Sequence, residues 1–173
     1  MACGTGIDFL IPFATWFYRL FVMSIDVEII EKLESRISLA EKPIVYEIEK
    51  GMIKRFAQAV GDANQLWQDE EYAVEIGYES IIAPPNFIVT LGFGKMLQDL
   101  VNDPEITVLH GSTELKRHLE IKPGDIISVT NTINNIRERQ GITGKMLFVT
   151  FDMLYENQHQ EMVAECRQMI ILY

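Results

Sequence analysis

The chain has 173 residues, of which 48% are hydrophobic and 23% charged, and its formal net charge is −10 at pH 7. This length and composition predict a globular protein with one domain and a sizeable core. The acidic balance argues against nucleic-acid binding, which requires a basic surface. The two cysteines, Cys3 and Cys166, form no C-x-x-C pair, so no metal site and no disulfide scaffold is predicted. Their small number fits a reducing cytoplasm, where we expect the protein.

Residues 7–23 form a strongly apolar segment, IDFLIPFATWFYRLFVM, interrupted by Asp8, Pro12 and Arg19. A membrane-spanning helix needs roughly 20 apolar residues, and a signal peptide needs basic residues before the apolar run. We favour Met23 as the real or alternative start, with the preceding residues as an upstream extension. A membrane-associating anchor and a packed N-terminal helix stay open, and membrane contact is expected only if this segment is genuine.

Helices are predicted in the first half of the chain. Residues 24–38 have an apolar residue at every fourth position and a candidate cap at Ser24. Shorter helices are predicted over 49–60 and 70–76, with a strand over 44–48. The most apolar helical candidate covers 87–101. It contains Gly92 and Gly94, which predict burial with close backbone approach.

The second half predicts strands separated by turns. The strands are expected over 108–119, 126–139, 145–156 and 161–173, and the turns over 122–125, 140–144 and 157–160. The whole order predicts an α+β domain over 44–173, in which one long central helix packs on a curved antiparallel sheet. The amphipathic helix within 24–43 and the extension 1–23 precede this domain.

Three segments carry a family resemblance. The first is FAQAVGDANQLWQDEEYA over 56–73, the second GYESIIAPPNF over 77–87, and the third the strand region from His110 to Tyr155. In this order they resemble the hot-dog-fold domain of the MaoC-like, (R)-specific hydratase/dehydratase family. The Ala-Pro-Pro form and the Arg-Gln-Gly turn are similar to its N-terminal FAS1-like dehydratase branch, which includes non-catalytic subunits of heterodimeric dehydratases.

The resemblance implies a catalytic pair that this chain only half retains. Family members use an Asp and a His five residues apart to position a water as general acid and base. Asp62 stands at the first position, but Trp67 stands at the second, and an indole N–H only donates hydrogen bonds. Catalytic members carry His-Gly where this chain has Pro84-Pro85, and proline lacks the N–H that would stabilise an enolate. Asp62 is therefore either a relict catalytic residue or a simple loop cap.

The histidines elsewhere in the chain suggest no replacement for the missing catalytic histidine. His110, His118 and His159 are interpreted as structural or exposed. The resemblance implies a substrate-binding set that we list as Asn64, Trp67, Ala83, Pro85, Asn86, Arg137, Arg139 and Lys145. Its basic members belong to a wider group, with Lys116, Arg117 and Lys122, that could bind the phosphates of coenzyme A or of a phosphopantetheine carrier. We favour the simpler interpretation of this group as a solvated sheet edge with interspersed charges.

These expectations combine into one functional hypothesis with two alternatives. The favoured hypothesis is a non-catalytic, acyl-thioester-binding subunit of a hydroxyacyl-thioester dehydratase or enoyl-CoA hydratase, inactive alone and paired with a catalytic MaoC-like subunit. The helix over 87–101 would line the acyl tunnel. The alternatives are a non-enzymatic acyl-CoA-binding homodimer and a thioesterase-like enzyme using Asp62. No cofactor and no metal is expected beyond the acyl-CoA or acyl-carrier-protein thioester itself.

Overall fold

The computed structural model describes residues 25, 27–100, 106–141 and 144–173. The interpretations of the apolar segment 7–23 and of the Ser24 cap fall outside the described residues. No helix within the described ranges is long and apolar enough to cross a membrane.

One antiparallel five-stranded sheet organises the described chain, with strand order β1-β3-β4-β5-β2. The strands are β1 (Ile44–Glu47), β2 (Val108–Arg117), β3 (Ile126–Gln140), β4 (Lys145–Glu156) and β5 (Met162–Leu172). All five predicted strands are present, with ends that differ from the prediction by at most two residues. The fold class predicted from the sequence, α+β with an antiparallel sheet, is confirmed.

Strict alternation of side chains gives the sheet one buried face. On β4, Leu147, Val149 and Phe151 are buried, whereas the residues between them are only partly buried. On β3, Ile127 and Val129 follow the same pattern. Successive side chains of a strand point to opposite faces, so these residues define the inner face that the helices cover.

Within the described ranges, four short helices and two 3₁₀ turns cover the inner face. The helices are α1 (Val27–Glu34), α2 (Lys50–Ala59), α3 (Glu70–Glu75) and α4 (Phe93–Leu100), and the turns are Gln65–Trp67 and Phe87–Thr90. The Asp69 carboxylate caps α3 by accepting the backbone N–H of Glu71 and of Tyr72. Such a cap satisfies N–H groups that the first helical turn leaves without partners.

The helix expected over 87–101 is divided into the 3₁₀ turn at 87–90 and α4. Gly92 separates them with a φ of +85°, a left-handed conformation that glycine adopts without steric cost. A Cβ atom at Gly92 would lie 2.8 Å from Val129 Cγ1, so the expected close approach is confirmed there. At Gly94 a Cβ atom would meet no heavy atom within 4 Å, so the same expectation is wrong for that residue.

The two edges of the sheet differ. On one side, β3 is covered by the short strand β1 and by residues 37–41, which form bridges at Ile37↔Ile133 and Ala40↔Thr132. On the other side, β2 forms an edge ten residues long whose side chains are mostly exposed. The described part of the chain places no strand against the outer side of β2.

Candidate functional site

The loop that follows α2 holds Asp62 in place through its backbone. The Asp62 N–H donates to the Ala57 carbonyl oxygen at 2.9 Å, after Gly61 has turned the chain with a φ of +70°. The Asp62 carbonyl oxygen accepts a hydrogen bond of 2.8 Å from Gln68 Nε2. The aspartate is therefore fixed at both backbone polar groups, and Gln68 contributes an anchor that the sequence did not point to.

The carboxylate of Asp62 is used within its own loop. Its Oδ2 accepts a hydrogen bond of 2.9 Å from the indole Nε1 of Trp67, and its Oδ1 accepts one of 3.0 Å from the Asn64 N–H. Trp67 is 8% exposed and packs in the main core. The residue at the histidine position of the family thus contacts the aspartate directly, but as a permanent donor that cannot take up a proton.

Asn64 is a capping residue of the 3₁₀ turn Gln65–Trp67. Its side-chain oxygen accepts the Leu66 N–H at 3.0 Å, and its carbonyl oxygen accepts the Trp67 N–H at 3.2 Å. Its Oδ1 is therefore already used within the loop, where it helps to aim the indole at Asp62.

The segment Ala83–Asn86 lies beside this loop. The Ile82 N–H donates to the Leu66 carbonyl oxygen at 3.4 Å, and Trp67, Ile82 and Ala83 share one core cluster. Six of the predicted site residues therefore come together in two neighbouring loops. They are Asp62, Asn64, Trp67, Ala83, Pro85 and Asn86.

Few backbone donors remain at the start of the 3₁₀ turn Phe87–Thr90. The Ala83 N–H donates to the Ile121 carbonyl oxygen at 2.8 Å, and the Phe87 N–H to the Pro84 carbonyl oxygen at 2.9 Å. Pro84 and Pro85 have no N–H. Between Ala83 and Phe87, the Asn86 N–H alone is left without a hydrogen bond to any described residue. A carbonyl oxygen of a bound thioester would find one exposed donor here.

Arg137, Arg139 and Lys145 lie away from these loops. The Ile48 N–H, just before α2, donates to the Asp125 carbonyl oxygen, just before β3. The start of β3 therefore lies near α2. Arg137 follows Ile126 by eleven residues along β3, and strands rise about 3.3 Å per residue. The predicted basic members of the site are therefore not brought together with Asp62.

The lysines of the predicted patch have acidic partners. Lys145 pairs with Glu138 at 3.0 Å. Lys116 pairs with Glu165 at 3.1 Å and Lys122 with Glu79 at 2.6 Å, and these lysines hold the pKa of each glutamate below its usual range. Arg137 and Arg139 are exposed and have no ion pair with a described residue.

The three histidines make their side-chain hydrogen bonds outside the loop that holds Asp62. His110 Nε2 lies 2.8 Å from Thr113 Oγ1 on β2, and its ring packs edge-on against Phe93. His118 Nε2 lies 3.3 Å from Glu165 Oε2. His159 lies in the exposed β4–β5 turn. Among the described residues, none of them hydrogen-bonds Asp62, and no group of three potential ligands could hold a metal ion.

Sequence reasoning missed two buried amides on the inner face. Asn131 and Gln168 are both 2% exposed, and the side-chain oxygen of each lacks a hydrogen-bond partner among the described residues. Gln168 Nε2 donates to the Val89 carbonyl oxygen at 3.4 Å. The signal was present, since Asn131 stands in the inward phase of β3 between Val129 and Ile133.

The sheet order and the short helices define the class of the protein, a domain of the hot-dog fold. Solved structures support this at the level of the fold. The HadBC (3R-hydroxyacyl-ACP dehydratase) complex from Mycobacterium tuberculosis superposes with a TM-score of 0.66, covering 79% of this chain and 96% of that chain at 20% identity. The R-hydratase PhaJ1 from Pseudomonas aeruginosa gives 0.62, covering 78% and 79% at 17% identity.

Within this class, the family is that of the FAS1-like dehydratase domain region, whose model matches residues 37–166, and the chain belongs to it. A UPF0336 protein of Streptomyces avermitilis is 36% identical over 101 residues, which cover 56% of this chain and 67% of the relative. A probable enoyl-CoA hydratase alpha subunit of Thermomonospora curvata is 27% identical over 139 residues, covering 70% of this chain and 44% of the relative.

Proposed function

We propose that this chain is the non-catalytic subunit of a two-subunit hydroxyacyl-thioester dehydratase or enoyl-CoA hydratase. The observation that most directly supports this proposal is the 2.9 Å hydrogen bond from Trp67 Nε1 to Asp62 Oδ2. It joins the two positions at which catalytic relatives hold a water between an acid and a base. Since the indole cannot act as a general acid or base near neutral pH, the chain contributes shape and binding, and the partner contributes the proton transfer.

The long free edge of β2 supports assembly with a partner. An unpaired edge strand presents backbone N–H and carbonyl groups to any strand of suitable shape. Relatives in complexes fit this picture, since the HadBC and ChsH1-ChsH2 structures from Mycobacterium tuberculosis are both two-component complexes. The partner in our proposal carries Asp, His and the oxyanion donors, and pairs along β2.

Acyl-thioester binding completes the proposal. The 3₁₀ turn Phe87–Thr90 and α4 cover the apolar inner face and would line an acyl tunnel, with the core residues Phe87 and Leu91 in its wall. The exposed Asn86 N–H is the remaining donor at its entrance. No cofactor is required, because proton transfer and hydrogen bonding are sufficient for hydration and dehydration.

The two alternatives make different predictions. A thioesterase would need Asp62 to activate a water, and both carboxylate oxygens already accept protein N–H groups. A non-enzymatic acyl-CoA-binding homodimer would use the β2 edge for a second copy of this chain. The heterodimer is favoured because the HadBC and ChsH1-ChsH2 structures are both two-component complexes.

Co-expression with a MaoC-like chain from the same genome tests the proposal. We expect crotonyl-CoA hydration by the complex and none by this chain alone. Asp62→Asn in this chain should leave the rate of the complex within about twofold, whereas the same change in the partner should lower it by at least about 10²-fold. Hydration or thioester hydrolysis by this chain alone, abolished by Asp62→Asn, would overturn the proposal.

A further inference from the structure

Two separate clusters of apolar side chains cover the inner face of the sheet. On β3 the first cluster ends at Val129 and the second begins at Ile133, and Asn131 lies between them. On β5 the two clusters likewise meet at Gln168. We call Asn131 and Gln168 the amide pair. Both stand at positions where an apolar side chain is expected, since amides are mostly exposed in folded proteins.

The amide pair is buried and lacks hydrogen-bond donors. Each residue is 2% exposed, and neither side-chain oxygen accepts a hydrogen bond from a described residue. Gln168 Nε2 donates to the carbonyl oxygen of Val89, so the amide of Gln168 points towards the 3₁₀ turn Phe87–Thr90. A buried acceptor without a donor is costly, because it has lost its water without compensation. The amide pair is therefore suited to a ligand that brings its own donor.

The surroundings of the amide pair can make room for such a ligand. Register places Met153 opposite Asn131 and Phe151 opposite Gln168, so the flexible side chain of Met153 lies next to Asn131. Methionine is unbranched and adapts to irregular space. The hydrogen bond from Gln168 to the 3₁₀ turn is 3.4 Å long, near the limit for such a bond. A small movement of the turn and of Met153 opens a path between the two apolar clusters.

The distance from the proposed tunnel entrance limits which part of a ligand reaches the amide pair. Val89 follows Asn86, the entrance donor, by three residues of a 3₁₀ turn. A 3₁₀ turn rises about 2.0 Å per residue, which gives a separation of about 6 Å. A C–C bond spans at most about 1.5 Å, so a group at the amide pair lies at least about four bonds beyond the thioester carbonyl. The hydroxyl at C3 is too close to the carbonyl to reach it.

We propose that the amide pair binds a hydroxyl group on the distal part of an acyl chain, well beyond C3. The hydroxyl donates its proton to the side-chain oxygen of Asn131 or of Gln168, and the rest of the chain contacts the apolar clusters. That the ligand is an acyl chain rests on the proposed function. The need for a hydrogen-bond donor rests instead on the two buried oxygens.

Paired ligands test the proposal by titration calorimetry on the two-subunit complex. The probes are ω-hydroxyacyl-CoA molecules with chains of six, eight and ten carbons, each compared with the acyl-CoA in which a methyl group replaces the hydroxyl. We expect the hydroxyl form to bind at least about tenfold more tightly at one of these lengths, because its absence leaves a buried acceptor unpaired. Equal or weaker binding of the hydroxyl form at every length would overturn the proposal.

Variants of the amide pair identify the acceptor. Gln168→Met and Asn131→Leu keep similar shapes and remove the oxygens, and we expect the preference for the hydroxyl form to disappear in at least one of them. Gln140→Met is the matched control, because it removes an amide from an exposed position at the end of β3. Circular dichroism establishes that each variant is folded. A preference that persists in both amide variants would place the hydroxyl elsewhere and overturn the proposal.

Cys166 supplies a second measurement at the same place. It is 3% exposed, burial raises the pKa of its thiol, and the neighbouring Gln168 amide acts in the opposite direction. In a Cys3→Ser background Cys166 is the remaining cysteine of the chain. We expect the preferred ω-hydroxyacyl-CoA to slow the reaction of Cys166 with a thiol reagent by more than its methyl counterpart does at equal concentration. No difference between the two ligands would contradict binding at the amide pair.

Crotonyl-CoA turnover separates this proposal from the function on which it rests, because its chain is too short to reach the amide pair. Turnover by the complex without a hydroxyl preference would overturn the binding site and leave the proposed function standing. Loss of turnover in every pairing, with the hydroxyl preference and the protection of Cys166 retained, would remove the proposed function and leave the binding site.

Discussion

Trp67 Nε1 donates a hydrogen bond of 2.9 Å to Asp62 Oδ2, across the five-residue spacing at which catalytic relatives place a histidine. The bond closes the loop between α2 and the 3₁₀ turn Gln65–Trp67. The family resemblance implies a reactive water at this spacing, whereas this chain has a structural contact there. The hydrogen bond ties Asp62 to the 3₁₀ turn and so stabilises the loop.

Trp67→Phe tests that structural role. The change removes the indole N–H, leaves one oxygen of the half-buried Asp62 carboxylate without its partner, and should lower the free energy of unfolding by about 1–3 kcal/mol. Urea denaturation measures it. A double-mutant cycle with Asp62→Ala should give a coupling energy of about 1 kcal/mol. An equal cost of Trp67→Phe with and without Asp62 would show that packing alone is responsible.

Trp67→His should not create an active hydratase. Restoring the imidazole supplies an acid/base group, but Pro84 and Pro85 still lack backbone donors, and a missing oxyanion donor costs about 10²–10³ in rate. We expect crotonyl-CoA hydration at least about 10²-fold slower than in a variant that also carries Pro84→His and Pro85→Gly. Comparable rates in the single and triple variants would show that Pro84 and Pro85 do not lower the rate of hydration.

Gly92 and Gly94 form a matched pair for a stability measurement. Gly92→Ala forces a side chain into a φ of +85° and within 2.8 Å of Val129 Cγ1, so it should destabilise the fold by about 1–3 kcal/mol. Gly94→Ala meets open space within α4 and should stabilise it by up to about 1 kcal/mol. Thermal melts of both variants check the opposite signs. Equal effects would mean that the chain does not turn at Gly92.

The ion pair between Asp152 and Arg167 predicts the direction in which the stability of the fold changes with pH. The Arg167 guanidinium, and then Asn134, hold the pKa of the Asp152 carboxyl below its ordinary value, although partial burial acts in the opposite direction. A depressed folded-state pKa stabilises the fold above the unfolded pKa of about 3.9, and this stabilisation is lost as pH falls through the folded value.

Asp152→Asn should therefore unfold more easily than the parent protein at pH 7, by a small amount because the pair is largely solvent accessible. The difference should shrink as pH falls below about 4 and vanish once Asp152 is protonated in the folded protein as well. Urea titrations across this range measure it, with Glu156→Gln as the control on the same strand. A difference that stays constant with pH would exclude the ion pair as its cause.

The sequence predicted the sheet well because local signals agreed. Alternation along β4 and the turn residues before β3 each specify a strand and its ends without reference to distant contacts. The central helix was predicted as continuous, because its hydrophobic pattern runs through Gly92, where the chain turns with a φ of +85° next to Val129 of another element. A clash between elements far apart in sequence leaves no mark in the pattern of either one.

The candidate site was predictable in part. The spacing of Asp62 and Trp67 follows from the motif, and the two residues do meet. The separation of Arg137 and Arg139 from Asp62 was not predictable, because it depends on which end and which face of β3 they occupy. A bulge between Ile133 and Asn135 shifts the register before those arginines, and composition cannot show such a shift.

The unequal edges of the sheet limit how the protein can polymerise. β1 and residues 37–41 cap one side of β3, so in the described part of the chain only β2 offers a long row of open backbone groups. A strand that pairs with β2 occupies these backbone groups, and the described part of the chain offers no second open edge of similar length. Growth by strand addition therefore terminates after one step, which protects a β-rich chain from fibre formation whichever partner it meets first.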